Sequence, residues 1–574
     1  MNINSERLYA KISMMKETGI ILILIVILGV ILRFFQLGRV PISLEWDEVA
    51  LGYDAFSILQ TGKDQFGKAF PLTFRSLDDY KPPIYEYLTV PSILFFGLSQ
   101  FSTRFPSAFF GVLTIIALYY LSLGIFKEIP NFRSKAVYIS LLASFFLAIS
   151  PWHLQFSRAA FEVNVSTFIT TLAVTCFIYG LRSPRLFLVS AFLFGLDLFS
   201  YHSARIVGPI LLLSLFLLFN RKLPGKMYLL SFFAILSVFV FCFIPILLSP
   251  DAQIRFKATN IFNPGARYLN EKDLEKDFLD ERLFDKKAGF ELAGKIFHNQ
   301  RLIYFDYDTL KKAFYNYISN FDFEYLFVKG DAPLHHAPGF GLLYIVSFPL
   351  VIIGLLYLLF KALNRYTAII PIWMLISPIP NAVTREAPHS VRTELIVPAY
   401  QIFTALGLVV LILFVIKESK WVRFILILSL VFLFLINQSY YLHQYYVHTN
   451  IELSENWMYG RKEAVFFTEN NKKNYDKVIV SMKVDMPYIF WLFYSKYPPK
   501  TYLSEGGTVS GGFADERNHF DKYEFKNFTY DKLPHDQKLL LVGTPDDIPA
   551  NANILKTIYY LDGSIALKIA ENSH

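Results

Sequence analysis

Apolar residues in this chain come in long continuous blocks, and polar residues collect in the short stretches between them. The blocks lack strand or helix periodicity, and each is roughly 15–23 residues long, the length that a helix needs to cross a bilayer. The pattern predicts a polytopic α-helical membrane protein. It places about eleven spans at 19–37, 106–126, 136–150, 162–181, 185–200, 204–219, 227–249, 340–360, 366–380, 394–416 and 421–437.

The segment 84–101 is apolar enough to be a further span, and the basic residues decide how it is interpreted. If it lies along the membrane surface as a juxtamembrane helix, the basic loops between the other spans all face the cytoplasm, as the positive-inside rule requires. If it crosses the membrane, every one of those loops faces outward. We therefore expect 84–101 to lie on the surface, with 38–105, 250–339 and the chain after 437 on the outer side.

The composition changes after residue 437. The stretch 438–574 is polar, and its short apolar runs at 477–481, 538–542 and 564–568 predict strands. Residues 461–470 predict a helix. We therefore divide the chain into a transmembrane catalytic domain, residues 1–437, and a small extracytoplasmic α/β domain, residues 438–574.

The overall composition agrees with a membrane protein and excludes other classes. Hydrophobic residues make up 54% and charged residues 18% of the chain, whereas soluble domains are about 25% charged. The formal net charge of +8 does not indicate nucleic acid binding, because the basic residues are scattered between apolar blocks. Cys176 and Cys242 lie inside such blocks, so neither a disulfide framework nor a cysteine metal site is predicted. We expect a multi-pass protein of the cytoplasmic membrane, in contact with membrane lipids.

Two adjacent carboxylates, Asp47 and Glu48, follow the first span in an otherwise apolar and aromatic segment. A carboxylate pair can act as a general base or as a metal ligand. Lys81 follows later, before a double proline, and a lysine can hold a phosphate group as a point charge. Taken alone, these residues also fit an ordinary hydrated loop between two spans.

The positions of the other unusual polar residues favour a functional site. Under the predicted topology these residues collect at the outer membrane face, whereas the cytoplasmic loops carry mainly Lys and Arg. Ionisable residues near membrane depth are costly and usually functional. The outer set is Asp47, Glu48, Lys81, His153, Arg158, Glu162, His202, Arg205, His335, His336, Arg385, Glu386, His389 and Arg392.

Five sequence motifs on this side of the membrane form a recognisable series along the chain. They are Trp46-Asp47-Glu48, Tyr80-Lys81-Pro82-Pro83, the run from Thr103 to Ala108, the run from Ser150 to Glu162, and the run from Ala387 to Arg392. Together they resemble the membrane glycosyltransferases of the GT-C fold, close to the protein O-mannosyltransferases and the bacterial aminoarabinose transferases. The resemblance covers most of residues 19–416. It implies a transferase that takes a sugar from a polyprenyl-phosphate carrier.

The resemblance also implies roles for individual residues. It makes Asp47 the base that activates the acceptor, Glu48 the second carboxylate of the family, and Lys81 the contact to the donor phosphate. Glu162 stands where relatives often carry an aspartate. Relatives of the aminoarabinose type carry a glutamate where this chain has Tyr80, so no metal ligand is assigned. A divalent metal is the one cofactor that the pattern leaves open.

The residues fit sugar transfer on their own terms as well. A sugar phosphate already has a good leaving group, so transfer needs a base for the incoming hydroxyl and fixed cations on the departing phosphate. Asp47 can supply the base, and Lys81, Arg392 and Arg158 can supply the cations. Because there is a single candidate base, we predict one-step attack with inversion of the anomeric centre.

Further residues are predicted to line the substrate cavity. For the pair His335-His336, metal binding and packing over the site both stay open. The loop 250–339 is too long to be without a function, and we expect it to cover the donor cavity. The predicted lining residues are Glu162, His202, Arg205, His389, His335 and His336.

Two other functional classes share these features. A transporter or flippase of a lipid-linked saccharide predicts functional charges at mid-membrane and on both sides, whereas here they lie on one side. The hypothesis of a structural or assembly protein that functions through its C-terminal region leaves the Asp47-Glu48 pair and Lys81 unexplained. The sequence therefore favours a transferase, and it does not separate one sugar from another or a lipid, glycan or protein acceptor.

Overall fold

The computed structural model describes residues 3–76, 79–249, 259–262, 279–280, 282–297, 307–509, 518–534 and 536–572. The chain up to residue 443 is mainly helical. The helices are α1 (Ile3–Phe34), α2 (Trp46–Thr61), α3 (Ile84–Phe96), α4 (Gln100–Phe126), α5 (Ala136–Ile149), α6 (Pro151–Arg158), α7 (Glu162–Gly180), α8 (Pro184–Asp197), α9 (Ala204–Phe219), α10 (Lys226–Leu248), α11 (Glu291–Phe297), α12 (Tyr307–Ser319), α13 (Phe348–Lys361), α14 (Ile369–Ile376), α15 (Ile379–Ala382), α16 (Ser390–Thr393), α17 (Val397–Val415) and α18 (Lys420–His443).

The prediction of a polytopic helical membrane protein is confirmed. Among the described residues, seven helices are long and apolar enough to cross a membrane. An eighth span is formed if α5 and α6, which meet at a bend of 54°, count as one. These helices are identified as candidate spans by their length and composition alone, so the number of membrane crossings stays a prediction.

Several predicted spans differ from the helices at their ends. The span placed at 106–126 already begins at Gln100, because Ser99 and Ser102 form a capping box there. The span placed at 366–380 is two short helices, α14 and α15, that are separated at Ser377-Pro378. The span placed at 340–360 is helical only from Ile345, and the last span continues to His443.

The helix α3 occupies most of the ambiguous segment 84–101. Its 13 residues correspond to about 20 Å at 1.5 Å per residue, less than the roughly 30 Å hydrocarbon core of a bilayer. The helix ends at Gly97, which has a φ of 71°, and α4 starts three residues later. The helix alone is therefore shorter than a typical span, and its position on the membrane surface stays a prediction.

Close helix packing forms the membrane core. The helices α13 and α17 approach each other at Gly354 and Gly407, where an added Cβ would lie 2.0 Å from the Phe403 carbonyl oxygen and 1.9 Å from the Leu350 carbonyl oxygen. Small residues permit such close approach between membrane helices. The two helices are therefore packed backbone against backbone at these glycines.

The chain after α18 contains a six-stranded sheet packed with short helices. We call this part the outer domain after its predicted position, and both the domain boundary and the position outside the membrane stay predictions. The strands β1 (Phe74–Ser76) and β2 (Asp79–Lys81) form a hairpin earlier in the chain. The elements after α18 are α19 (Thr449–Glu452), α20 (Arg461–Asn471), β3 (Lys477–Val480), α21 (Pro487–Ser495), α22 (Pro499–Ser504), β4 (His519–Phe520), β5 (Tyr523–Phe525), β6 (Leu539–Gly543), β7 (Asn553–Tyr559) and β8 (Ile565–Glu571). The sheet order is β4-β5-β3-β6-β8-β7, with β3 parallel to β5 and β6 and the other pairs antiparallel. The three predicted strands are present as β3, β6 and β8 at slightly different bounds, and β4, β5 and β7 are additional.

The outer domain packs directly on α2, the helix that begins with the acidic pair. Tyr53 of α2 donates its hydroxyl to the Tyr497 carbonyl at 3.0 Å. Thr508 donates to the Gln65 side chain at 2.9 Å, just beyond the same helix. The helix α21 is almost entirely buried against α2 and α20. The outer domain and the acidic pair therefore lie on the same side of the membrane helices.

Candidate functional site

The start of α2 fixes the backbone of the acidic pair. Glu45 is the N-cap residue, and its side chain accepts a hydrogen bond from the Glu48 N–H at 3.1 Å. The Glu48 side chain accepts in return from the Glu45 N–H at 3.4 Å. Burial, together with the neighbouring Asp47 carboxylate, raises the pKa of Glu45 well above its ordinary value. This reciprocal cap holds Asp47 in the first helical turn, where the helix dipole favours negative charge.

A short antiparallel hairpin brings Lys81 to Asp47. The strands β1 (Phe74–Ser76) and β2 (Asp79–Lys81) pair so that Phe74, which is fully buried, lies opposite Lys81. The Lys81 ammonium lies 2.8 Å from Asp47 Oδ1. Burial lowers the pKa of Lys81, but the Asp47 and Glu162 carboxylates outweigh burial and raise it above its ordinary value. Lys81 is therefore a fixed cation at the edge of this hairpin.

Glu162 completes the cluster from a third segment. It is the first residue of α7, and its carboxylate lies 3.6 Å from the Lys81 ammonium. The side chains of Lys81 and Glu162 are 7% and 10% exposed, whereas that of Asp47 is 42% exposed. Three residues predicted from separate motifs are thus brought together, and Asp47 is the member that faces solvent.

Glu48 points away from this cluster into the protein. The Arg104 guanidinium donates to both Glu48 oxygens at 2.8 Å, from Nε and Nη2. The Ala160 N–H donates to Glu48 Oε1 at 2.8 Å. Arg104 also donates to the carbonyl oxygens of Pro41 and Ser43. Glu48 was predicted as a second catalytic carboxylate, and its bonding here is that of a buried structural ion pair.

Arg158, predicted to bind the donor phosphate, is likewise occupied within the protein. Its guanidinium has no solvent exposure. It donates to the carbonyl oxygens of Leu32, Arg33 and Val40 at 2.8–3.0 Å, and to the Tyr445 hydroxyl at 3.1 Å. In this arrangement Arg158 caps the end of α1, so it is not among the cations that the structure offers to a ligand.

A second polar region lies in a cavity of about 420 Å³ between α9, α10 and the loop before α16. His202, Arg205 and Arg392, all predicted from sequence to serve the substrate, line this cavity together. Arg392 donates to Thr384 Oγ1 at 3.0 Å and pairs with Glu386 at 3.2 Å. The rest of the wall is largely apolar, so the cavity combines cationic and hydrophobic surfaces. The other lining residues are Tyr201, Ser203, Ile206, Phe243, Ile246, Leu247, Thr259, Asn260, Pro380, Val383 and Thr384.

This cavity adjoins the Lys81 hairpin. The Ile84 N–H donates to the Phe199 carbonyl at 3.4 Å, and Ile84 packs against the cluster that includes Phe243. Of the long loop that we expect to cover the cavity, Thr259 and Asn260 do line it. Most of 250–306 lies outside the described residues, so the covering role stays a prediction.

A third cluster lies on the loop that packs over α6. The His335 ring nitrogen Nδ1 lies 2.8 Å from Asp331 Oδ2, and the His335 and His389 rings are 4.9 Å apart. Burial raises the pKa of Asp331, but His335 and the Ser390 N–H outweigh burial and hold it at about 2. Ligand atoms of Asp331, His335 and His389 all lie within 4.8 Å of one another.

These three side chains could hold a divalent metal ion, since carboxylate and imidazole are suitable ligands. The hydrogen bonds from Ser390 and His335 to Asp331 also satisfy the cluster without one. His336, the other half of the predicted pair, is directed elsewhere, with Nδ1 2.9 Å from the Ala337 carbonyl. A metal ion at this cluster would therefore bind Asp331, His335 and His389, and not the adjacent pair His335-His336.

Sequence reasoning missed the partners that hold the predicted residues. Arg104 was noted as part of a motif without a role, although it binds Glu48. Asp331 was overlooked, although it stands four residues before His335, a spacing at which two side chains often pair. The spacing of three between Glu45 and Glu48 was the corresponding signal for the helix cap.

Comparison with known proteins supports one class. The family model described as dolichyl-phosphate-mannose-protein mannosyltransferase matches residues 80–248, which include Lys81, Arg158 and Glu162. A search of curated proteins found no match.

Among solved structures, ArnT from Cupriavidus metallidurans bound to undecaprenyl phosphate is similar in fold. Its TM-score is 0.52 at 12% identity, over 96% of this chain and 98% of that chain. The apo state of the same protein gives a TM-score of 0.51 at 12% identity, over 96% and 97%. The apo oligosaccharyltransferase from Archaeoglobus fulgidus has a TM-score of 0.46 at 15% identity, over 83% of this chain and 63% of that chain.

The predicted resemblance is confirmed: the chain has the GT-C fold, and residues 80–248 are similar to the mannosyltransferase family model. The comparisons thus support a membrane glycosyltransferase.

Proposed function

We propose that this chain transfers a sugar from a polyprenyl-phosphate donor to an acceptor hydroxyl at the outer face of the membrane, with Asp47 as general base. The observation that carries the proposal is the contact between a half-exposed carboxylate, Asp47, and a buried ammonium, Lys81, at 2.8 Å. The undecaprenyl phosphate bound by the similar ArnT supports a donor of this chemical class.

The Asp47–Lys81 pair explains how one site can serve both substrates. When the donor binds, its phosphate competes with Asp47 for the Lys81 ammonium. Glu162 stays beside Lys81 at 3.6 Å and keeps that cation in position. Asp47 is then released toward the acceptor, and its exposure means that it needs no large movement to reach a hydroxyl.

The transfer itself needs one proton movement and one displaced group. Asp47 takes the proton of the acceptor hydroxyl as the oxygen bonds to the anomeric carbon, which typically contributes 10²–10⁴-fold. The bond from that carbon to the phosphate oxygen breaks, and the phosphate leaves with the electron pair as an anion held by Lys81. Attack opposite the leaving group inverts the anomeric centre.

The cavity that holds Arg205 and Arg392 suits the lipid part of the donor. Guanidinium groups bind phosphate oxygens with two N–H groups at a time, and the apolar wall from α9 and α10 suits a polyprenyl chain. We assign His202 to the polar lining of the same cavity. The contact between Ile84 and Phe199 places this cavity beside the Lys81 hairpin, as a donor that bridges both would require.

Glu48 and Arg158 take supporting roles in this proposal. Their charges are already matched by Arg104 and by backbone carbonyls, so they hold the ends of α1 and α2 in place rather than react. The acceptor can be a lipid, a glycan or a protein, because all three offer a hydroxyl to the exposed side of Asp47.

A donor panel tests the proposal. The purified chain in native lipids is given radiolabelled polyprenyl-phosphate hexoses, and release of free polyprenyl phosphate is followed for wild type and for Asp47→Asn. We expect release from wild type and a loss of about 10²-fold or more in the variant. Equal release from both would remove Asp47 as the base. Absence of release with every donor would favour the transporter class, and retained anomeric configuration by NMR would exclude one-step inversion.

A further inference from the structure

A groove of about 780 Å³ lies where the membrane domain meets the outer domain, apart from the sites above. One wall is the chain just after α1, which includes Arg39. The other is α20 of the outer domain, which includes Lys462 and Glu463, with Lys556 of β7 beside it. Asn450 lies between the two walls.

The groove sits at the level where two spans leave the membrane. The helices α1 and α18 both belong to candidate spans, which run to Phe34 and to Glu452. The groove is lined by the chain just after the first span and by Tyr446 and Asn450 at the end of the second. Tyr446 donates its hydroxyl to the Leu32 carbonyl at 3.0 Å, which joins the ends of the two spans. Phe35 and Phe466 beside the groove are 55% and 47% exposed. Exposed aromatic rings at this depth are typical of contact with the lipid headgroup region.

The groove carries an excess of positive charge. Lys556 pairs with Glu463 at 2.7 Å, so these two cancel. Within the described ranges, neither Arg39 nor Lys462 has a carboxylate within 4.0 Å, and both side chains are exposed. Two cations close to a membrane surface attract anionic headgroups.

Asn450 adds a feature that a general basic surface lacks. Its side-chain N–H group donates to the Arg39 carbonyl at 3.2 Å. Its side-chain oxygen is buried, and no residue that the structure describes donates a hydrogen bond to it. Buried acceptors are normally satisfied, and a ligand hydroxyl that enters the groove beside Asn450 would supply the missing hydrogen bond.

We propose that this groove binds the headgroup of an anionic membrane lipid that carries a free hydroxyl, with phosphatidylglycerol as the representative. Its phosphate lies between Arg39 and Lys462, and its headgroup hydroxyl donates to Asn450. Such a lipid contacts the membrane domain and the outer domain at once and stabilises their docking. The proposal is independent of the sugar-transfer activity.

Titration of the full-length protein with phosphatidylglycerol, read by native mass spectrometry, tests this site. Phosphatidylcholine with the same acyl chains is the comparison lipid, and glycerol 3-phosphate is the soluble probe. We expect the double variant Arg39→Gln/Lys462→Gln to bind phosphatidylglycerol roughly thirtyfold more weakly, because each surface cation contributes about fivefold. Phosphatidylcholine binding should not change.

Two further variants keep the result interpretable. The control Lys473→Gln/Lys500→Gln removes the same charge from exposed positions of the outer domain outside the groove, and it should bind like wild type. Asn450→Asp leaves both cations in place and should also weaken binding, since it repels the phosphate. Equal affinity in wild type and the double variant, or equal weakening in the control, would overturn the proposal. Equal affinity for glycerol 3-phosphate and the lipid would overturn the assignment to a lipid.

Discussion

Asp47 and Glu48 are neighbours in one helical turn, yet they lie in opposite electrostatic surroundings. The Asp47 side chain is 42% exposed and contacts one cation that it shares with Glu162. The Glu48 side chain is 3% exposed and receives two hydrogen bonds from Arg104 and one from the Ala160 N–H. The helix cap formed by Glu45 sets this division, since it directs Glu48 inward.

The comparison shows what separates a reacting carboxylate from a structural one. A buried ion pair is tolerated only when its partners satisfy nearly every hydrogen bond, and breaking it leaves an uncompensated charge. A general base needs the reverse, a carboxylate with a lone pair that a substrate can reach. The predictions below test this division, beginning with the largest effect.

The largest effect should come from Arg104→Met, which leaves Glu48 charged and buried without its partner. We expect a loss of about 3–5 kcal/mol in stability, seen as a large drop in melting temperature in detergent. The matched control is Arg182→Met, which breaks a pair with Glu128 in which Arg182 is 74% exposed. That change should cost about 0–1 kcal/mol. Similar melting temperatures for both variants would contradict the buried pair.

The next effect concerns Lys81→Met, which keeps the aliphatic length and removes the cation. Because the ammonium would hold the departing phosphate, release of polyprenyl phosphate should fall by about 10²-fold or more. Lys81→Arg restores the charge and should recover part of the activity. A Lys81→Met enzyme with wild-type turnover would separate Lys81 from the reaction.

Smaller effects on donor use are expected from substitutions of the two arginines that line the cavity. Arg205→Gln and Arg392→Gln should each weaken use of the donor about tenfold, mainly through a higher KM, because one of several phosphate contacts is lost. Arg385→Gln is the control, since this neighbouring residue is not part of the lining. An equal rise in KM for all three variants would indicate a general loss of surface charge.

The smallest effect should come from Glu162→Gln. Its carboxylate lies 3.6 Å from Lys81, farther than the 2.8 Å of Asp47, and the amide can still accept a hydrogen bond. We expect turnover to fall about two- to fivefold, the size of a weak ion pair. A loss as large as that of Asp47→Asn would make Glu162 the base instead.

The class of fold could be predicted from the sequence, whereas the hydrogen bonds and ion pairs of the candidate site residues could not. Long apolar blocks predict spans, and the predicted topology put Asp47, Lys81 and Glu162 at the same membrane face. Their contacts with one another come from the structure. Which carboxylate faces solvent depends on a cap and on Arg104, both of which are set by packing between distant segments. The sequence alone does not show which of the two adjacent carboxylates, Asp47 or Glu48, is exposed to solvent.

Arg158 shows the same limit from the cationic side. A phosphate ligand and a buried helix cap use the same residue type in the same motif, and only the backbone carbonyls of Leu32, Arg33 and Val40 distinguish them. By contrast, His202, Arg205 and Arg392 do meet in one cavity. Ser203 donates its hydroxyl to the Arg392 carbonyl at 2.7 Å, so the packing of their two segments brings these side chains together.

The most direct measurement compares Asp47→Asn with Glu48→Gln, two carboxylate-to-amide changes one residue apart. Melting temperature and the release of polyprenyl phosphate per folded molecule are measured for both. Asp47→Asn should keep a melting temperature close to wild type and lose about 10²-fold or more in release. Glu48→Gln should melt much earlier, while its folded molecules retain release. The opposite result, a stable Glu48→Gln protein without activity beside an active Asp47→Asn protein, would contradict the assignment of Asp47 as the base.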